Sequence, residues 1–103
     1  MSMDNIKNAE RTIRISDDVL RQVAAIAARE AVGVAGLDEK HPVRIINLGG
    51  AVSAEVRILV KSGNRAAAVA ARVQKAVKQS IQDMTSVTAV HVHVEITGMQ
   101  EEV

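Results

Sequence analysis

Between residues 52 and 97 the period of hydropathy runs from two, to that of a helix, and back to two. Val52, Ala54, Val56, Ile58 and Val60 alternate with Ser53, Glu55, Arg57 and Lys61, and Leu59 is the one departure. Val90, Val92, Val94 and Ile96 alternate in the same way with His91, His93, Glu95 and Thr97. Successive side chains of a strand point to opposite faces, so each run predicts a strand with one buried face. Between them Val69, Ala70, Val73, Val77, Ile81 and Met84 recur at spacings of three and four, the stripe of an amphipathic helix. A strand, a helix and a strand that all present aliphatic faces are satisfied by a small sheet covered by helix. Most of the chain's information goes into packing, and little is left for chemistry.

The remainder completes the pattern. Residues 1–10 have no period and read as a loose arm. Arg11 to Ile15 read as a short strand with Ile13 and Ile15 on one face. Ser16 is placed to cap a helix whose first turn holds Asp17 and Asp18, where the helix dipole favours anions. That helix is expected to reach about Val32, with an apolar stripe of Val19, Leu20, Val23, Ala24, Ile26, Ala27 and Ala31 opposite Arg21, Gln22 and Arg29. Gly33 ends it, and Val34 to Leu37 follow as a brief extended segment. Asp38 to Pro42 form a charged loop. Val43 to Leu48 and Ala51 to Lys61 are strands joined at Gly49-Gly50, a hairpin signal. Gly63-Asn64 lead into the second helix, with Asn64 as its cap and an end near Met84. Thr85 and Ser86 break it, and residues 87–97 form the last strand before Gly98 and the acidic tail.

The predicted order is β-α-β-β-α-β. The fold class is α+β: a two-layer α/β sandwich with a mostly antiparallel sheet and both helices on one face. One domain spans 11–99, between the arm at 1–10 and the tail at 100–103. Glu55, Arg57, His91, His93 and Glu95 fall on the open face.

Composition narrows the function. With 103 residues and 48% hydrophobic content there is enough apolar material for one core. The chain has no Phe, Trp or Tyr, so that core is aliphatic and no ring is available for stacking on bases. The absence of cysteine excludes disulfides, thiolate metal sites and cysteine nucleophiles. No apolar run approaches the roughly 20 residues that span a bilayer, and the first eleven residues carry no signal-peptide stretch. The expected place is the cytoplasm, without direct membrane insertion. A net charge of +1 does not by itself point to nucleic acid.

Four groups of residues are candidates for sites. His91 and His93 share a strand face with Glu95, and two imidazoles plus a carboxylate are a legitimate metal set. Alternate strand residues lie about 6–7 Å apart, however, and nothing fixes another ligand, with His41 available only from a loop. A solvated sheet face is the simpler account, and no metal or other cofactor is assigned. Ser16, Ser53, Ser62, Ser80 and Ser86 lack a nucleophile-elbow context, and Asp17 with Asp18 are explained as helix-start residues. No catalytic residue is assigned, and the chain is read as a non-enzyme. Gly33-Val34-Ala35-Gly36 fits the G-x-x-G of nucleic-acid-binding KH loops, but its interior is apolar and Asp38 and Glu39 would repel phosphate. The second helix carries Arg65, Arg72, Lys75 and Lys78 with Gln79 and Gln82 on its outer side, against one acid, Asp83. These six are the candidate partner-binding residues, since a local basic stripe attracts acidic protein, anionic lipid or phosphate.

The spacing resembles a known family. Ile13-x-Ile15-Ser16-x-x-Val19-x-x-x-Val23-Ala24-x-x-Ala27, followed by Gly33-Val34-Ala35-Gly36-Leu37, is similar to the opening of the alkaline-shock-protein family, also called the Gls24 envelope stress family. Val69-Ala70-x-x-Val73-Gln74-x-x-Val77, Ile81-x-x-Met84-Thr85 and Val90-x-Val92-x-Val94 are similar to its later helix and last strand. The likeness covers about residues 11–99. Three positions depart from it: Ser86 stands where the family usually has Gly, His91 where it often has Asn, and Ser62 where a hydrophobic residue is usual. The resemblance implies a small non-enzymatic bacterial protein of cell-envelope homeostasis, a self-associating scaffold or adaptor. It also implies a homo-oligomer held at the inner face of the membrane by a membrane-anchored protein partner. The alternative is a small nucleic-acid-binding module using the basic face of the second helix.

Overall fold

The computed structural model describes residues 14–101. Its elements are α1 (Asp17–Glu30), β1 (Val34–Leu37), β2 (Val43–Asn47), β3 (Ala51–Lys61), α2 (Ala66–Thr85) and β4 (Ala89–Gln100). Both helices and the inner face of the sheet contribute to one core, so the two-layer α+β sandwich is as expected. The order differs at the start. Arg11 to Ile13 of the expected first strand lie outside the described residues, and Arg14 and Ile15 are in neither helix nor strand. Among the described residues the order is therefore α-β-β-β-α-β.

β3 organises the sheet. β4 runs parallel to it along its whole length, from Ala51↔Ala89 to Lys61↔Gln100. β2 pairs antiparallel with Val52 to Val56, and β1 antiparallel with Ile58 to Val60. A strand has two edges, so β1 and β2 must lie end to end along the second one. The loop between them is stitched to a single residue: Asp38 donates to the Arg57 carbonyl (3.0 Å) and Arg57 donates to the Pro42 carbonyl (2.9 Å). The parallel pairing of β3 with β4 requires a crossover, and α2 supplies it.

The core is aliphatic. Leu20, Ala24 and Ala28 of α1 meet Val69, Val73, Val77 and Ile81 of α2 over Val52, Ala54, Val56, Ile58 and Val60. No polar or charged residue is buried among the described residues. The α1 stripe is narrower than its sequence suggests: Val19 and Ile26 are 38% and 52% exposed. The contact runs along Leu20, Ala24 and Ala28, one turn apart, where small side chains let the helices approach.

The strict alternation of β3 fails only at Leu59, and the structure supplies the reason. Leu59 faces the open side between Gly36 of β1 and Gly98 of β4. A Cβ on Gly98 would lie 3.1 Å from Leu59 Cδ2. Leu59 thus lies over a glycine, at the point where the register with β4 shifts.

The helix ends differ in how they are satisfied. Ser16 Oγ accepts the Val19 N–H at 3.2 Å, the expected cap, and Asp18 pairs with Arg21. Asn64 does not cap α2. Its amide donates to the Lys61 carbonyl (3.3 Å) within the preceding turn, and Arg65 holds the cap position without a side-chain bond. At the far end Ser86 is left-handed, with φ 62° and ψ 11°. It donates to the Gln82 carbonyl at 2.8 Å, while Thr85 Oγ1 donates to Ile81 and accepts from Val87. A left-handed conformation costs an L-residue about 1–2 kcal/mol. Glycine removes that cost but loses about 0.5–1 kcal/mol of chain entropy on folding. Ser86→Gly is therefore expected to stabilise the domain by about 0.5–1 kcal/mol, raising Tm by roughly 3–6 °C. A lower Tm in a circular-dichroism melt would contradict this account of the turn.

Candidate functional site

Among the described residues, nothing covers the side of the sheet away from the helices. β2, β3 and β4 carry across it two crossed rows, Ile46–Ser53–His91 and Arg44–Glu55–His93, and Arg57 pairs with Glu95 in the next. Arg57 is the hub. Its Nε lies 3.4 Å from Glu95 Oε2 and 3.9 Å from Glu55 Oε1. That nitrogen is buried and makes no hydrogen bond, so the contacts are ion pairs at the edge of hydrogen-bond geometry. Their carboxylates remain in contact with water, and solvent-screened pairs contribute about 0–1 kcal/mol. They also leave the face electrically mixed: cation, anion and imidazole alternate from strand to strand, and no charge of one sign is concentrated.

His91, His93 and Glu95 sit where the alternation puts them, on the open face of β4, and all are exposed. Glu95 is engaged by Arg57. No group of three or more His, Asp or Glu close enough to hold a metal ion occurs among the described residues.

The six residues of the α2 stripe are divided by the structure. Arg72 Nη1 donates to the Val32 carbonyl at 3.2 Å and ties α2 to the end of α1. Gln79 donates to Asp83 Oδ1 (2.9 Å), and half-buried Gln82 donates to the Thr88 carbonyl (3.0 Å), which fastens the helix end to the approach to β4. Arg65, Lys75 and Lys78 are exposed. None of these three is in a salt bridge among the described residues.

Sequence reasoning did not single out three features of the surface. Gln74 reaches from α2 to the Val92 carbonyl at 3.2 Å. Ile46, Leu48, Ile96 and Met99 are exposed apolar residues, Leu48 at the hairpin tip by 73%. The Ile45-Ile46 doublet hid part of this set, because only the register shows that Ile45 turns inward and Ile46 outward. A shallow groove between the helices, lined by Val23, Ile26, Ala27, Ala76, Gln79 and Ser80, is largely apolar.

A model of the alkaline-shock-protein family, described as having a cell envelope-related function, matches residues 41–101, which hold β2, β3, α2 and β4. The chain belongs to this family. The resemblance read from the Val69–Val77 and Val90–Val94 patterns is borne out, and with it a cell-envelope-related function. No curated protein matches the sequence. Among solved structures, a double variant of MamM CTD superposes with a TM-score of 0.57 at 20% identity, over 81% of this chain and 93% of that one. A MamM CTD variant in a copper form gives 0.53 at 22% identity, over 79% and 98%. A single variant gives 0.52 at 22% identity, over 77% and 93%. At these identities the likeness is one of fold.

Proposed function

We propose that this envelope-family chain is a non-enzymatic scaffold or adaptor that self-associates and is held at the inner face of the cell membrane by a membrane-anchored protein. The observation that carries the reading is the uncovered sheet. One whole face and the outer edge of β4 are without a helix among the described residues, and a bare strand edge is a ready template for another chain. The charged groups on that face neutralise one another in a ladder, which suits a broad protein contact better than a reaction centre. No helix of the described residues is long and apolar enough to cross a membrane.

Two measurements test this reading. Light scattering over a concentration series should show a mass rising above that of the monomer. Cytoplasmic-face membrane vesicles should retain the chain, vesicles stripped of exposed protein by protease should not, and protein-free liposomes should not. Lys75→Glu with Lys78→Glu is expected to lower vesicle retention severalfold while moving stability by no more than about 0.5 kcal/mol, since both side chains are exposed. A chain that stays monomeric and binds RNA or DNA with a steep salt dependence through the same two lysines would instead be a nucleic-acid module.

A further inference from the structure

The two edges of the sheet are protected very differently. The β1/β2 edge is short and interrupted, contains Pro42 and carries Arg44. The β4 edge is twelve residues long and contains no Pro, Lys or Arg, the devices that blunt an edge against pairing. From Ala89 to Ile96 it is also free of the register shift that follows at Ile58/Leu59. On that stretch Gln74 donates to the Val92 carbonyl.

The sequence of this stretch is self-complementary, and one register gives it the longest regular ladder. An antiparallel neighbour must match like faces, so the two-fold axis has to pass through a residue. About His93, the partner copy's Glu95 falls opposite His91 and its His91 opposite Glu95. On the inner face Val92 falls opposite the partner's Val94, and Val90 opposite the partner's Ile96. An imidazole N–H donates to a carboxylate in either protonation state. Val92 and Val94 are only partly buried and Ile96 is 37% exposed, so the apolar pairs cover surface that the monomer leaves wet. A two-fold at Val92 instead sets His91 against the partner's His93 and leaves Glu95 opposite Ala89. A two-fold at Val94 also sets His93 against the partner's Glu95, but it places His91 opposite Thr97, beside the register shift, and leaves only Val92 to Ile96 to pair regularly, against Val90 to Ile96 about His93. The α2 line facing this edge is Ala67, Ala71, Gln74 and Lys78, placed there by the Gln74–Val92 bond, and its two alanines leave room for the same helix of the second copy.

We propose that two copies of this chain pair antiparallel through β4, with the two-fold axis at His93, to form one continuous sheet. The proposal rests on the self-association read above and assigns it a surface.

The absence of cysteine makes the test clean. Opposed Cα atoms of an antiparallel pair lie about 4.5–5.5 Å apart, within disulfide range. His93→Cys should therefore cross-link to itself on oxidation with diamide. Glu95→Cys lies about 13 Å from its own copy and should not, and neither should His91→Cys. A mixture of those two variants should cross-link. His93→Lys and His93→Glu, substituted at an exposed position, should each weaken self-association by at least about tenfold, and mixing them should restore it. A wild-type chain that is monomeric by light scattering at all concentrations overturns both the scaffold reading and this interface. An oligomer that neither cross-links at His93 nor responds to His93→Lys overturns the interface alone.

Discussion

Val73→Asp is expected to leave the domain unfolded at 25 °C. Val73 is fully buried at the centre of the α2 stripe, between Val69 and Val77 and against the inner face of β3. The substitution removes about 1.5–3 kcal/mol of apolar burial. It also puts a carboxyl group into a core that contains no polar or charged residue among those described, so it finds no partner there. Protonation would spare the full charge penalty, but an unpartnered polar group still costs about 2–7 kcal/mol. Together these approach the roughly 5–15 kcal/mol that stabilises a whole domain. The check is a far-UV circular-dichroism melt, in which the cooperative transition should be lost. Lys75→Asp, two residues on and exposed, is the control and should melt almost as the parent does. A cooperative melt for Val73→Asp within about 1 kcal/mol of the parent would mean that a different side of α2 faces the sheet.

Gly33→Ala is expected to cost about 2–5 kcal/mol, through two separate terms. The first is conformational: Gly33 has φ +96°, which an L-residue adopts only under strain, roughly 1–2 kcal/mol. The second is steric: the added Cβ would lie 2.5 Å from Val69 Cγ2 and 3.3 Å from Asn64 Oδ1. Val69 is fully buried, so it cannot swing aside, and overpacking of this kind costs about 1–3 kcal/mol. The position also ties three elements together, because its carbonyl accepts the Lys61 N–H at 2.9 Å between α1 and β1. Urea unfolding should show a lower midpoint with an unchanged slope. Gly36→Ala separates the two readings of a glycine. No atom lies within 4 Å of its added Cβ and its backbone is extended, so its midpoint should stay close to the parent's. Equal effects at the two positions would contradict the steric account.

These two cases also show which parts of the molecule could be read from the chain and which could not. The bounds of β3 follow from sequence to the residue, because apolar and polar positions alternate from Val52 to Lys61 with Leu59 the one departure. α2 comes within a residue or two, and it ends at Thr85 where the Thr and Ser compete for backbone groups. The direction of β4 was not legible. Hydropathy has no sense of direction, and the parallel pairing follows from the crossover through α2, a tertiary property. The same holds for Val19 and Ile26, apolar residues on the α1 stripe that the core leaves exposed. Asn64 fits a cap by residue type, but the turn held its side chain first. Of the site, the sequence showed the face on which Glu55, Arg57, His91, His93 and Glu95 lie. That Arg57 would bind both acids, and that Arg72, Gln79 and Gln82 would be drawn into contacts within the chain, depends on distances that no linear pattern encodes.

β3 borders every other strand described, and the strand that runs its whole length is synthesised after the other three. β1 and β2 can close one margin of β3 as soon as residue 61 has emerged. The other margin stays bare through the synthesis of some forty further residues, until Ala89 to Gln100 arrive. Loop closure over that separation slows the final pairing relative to the hairpin. A nascent or prematurely terminated chain ending before β4 therefore offers the stickiest ribbon of the molecule, Val52 to Val60, to any neighbour on the polysome.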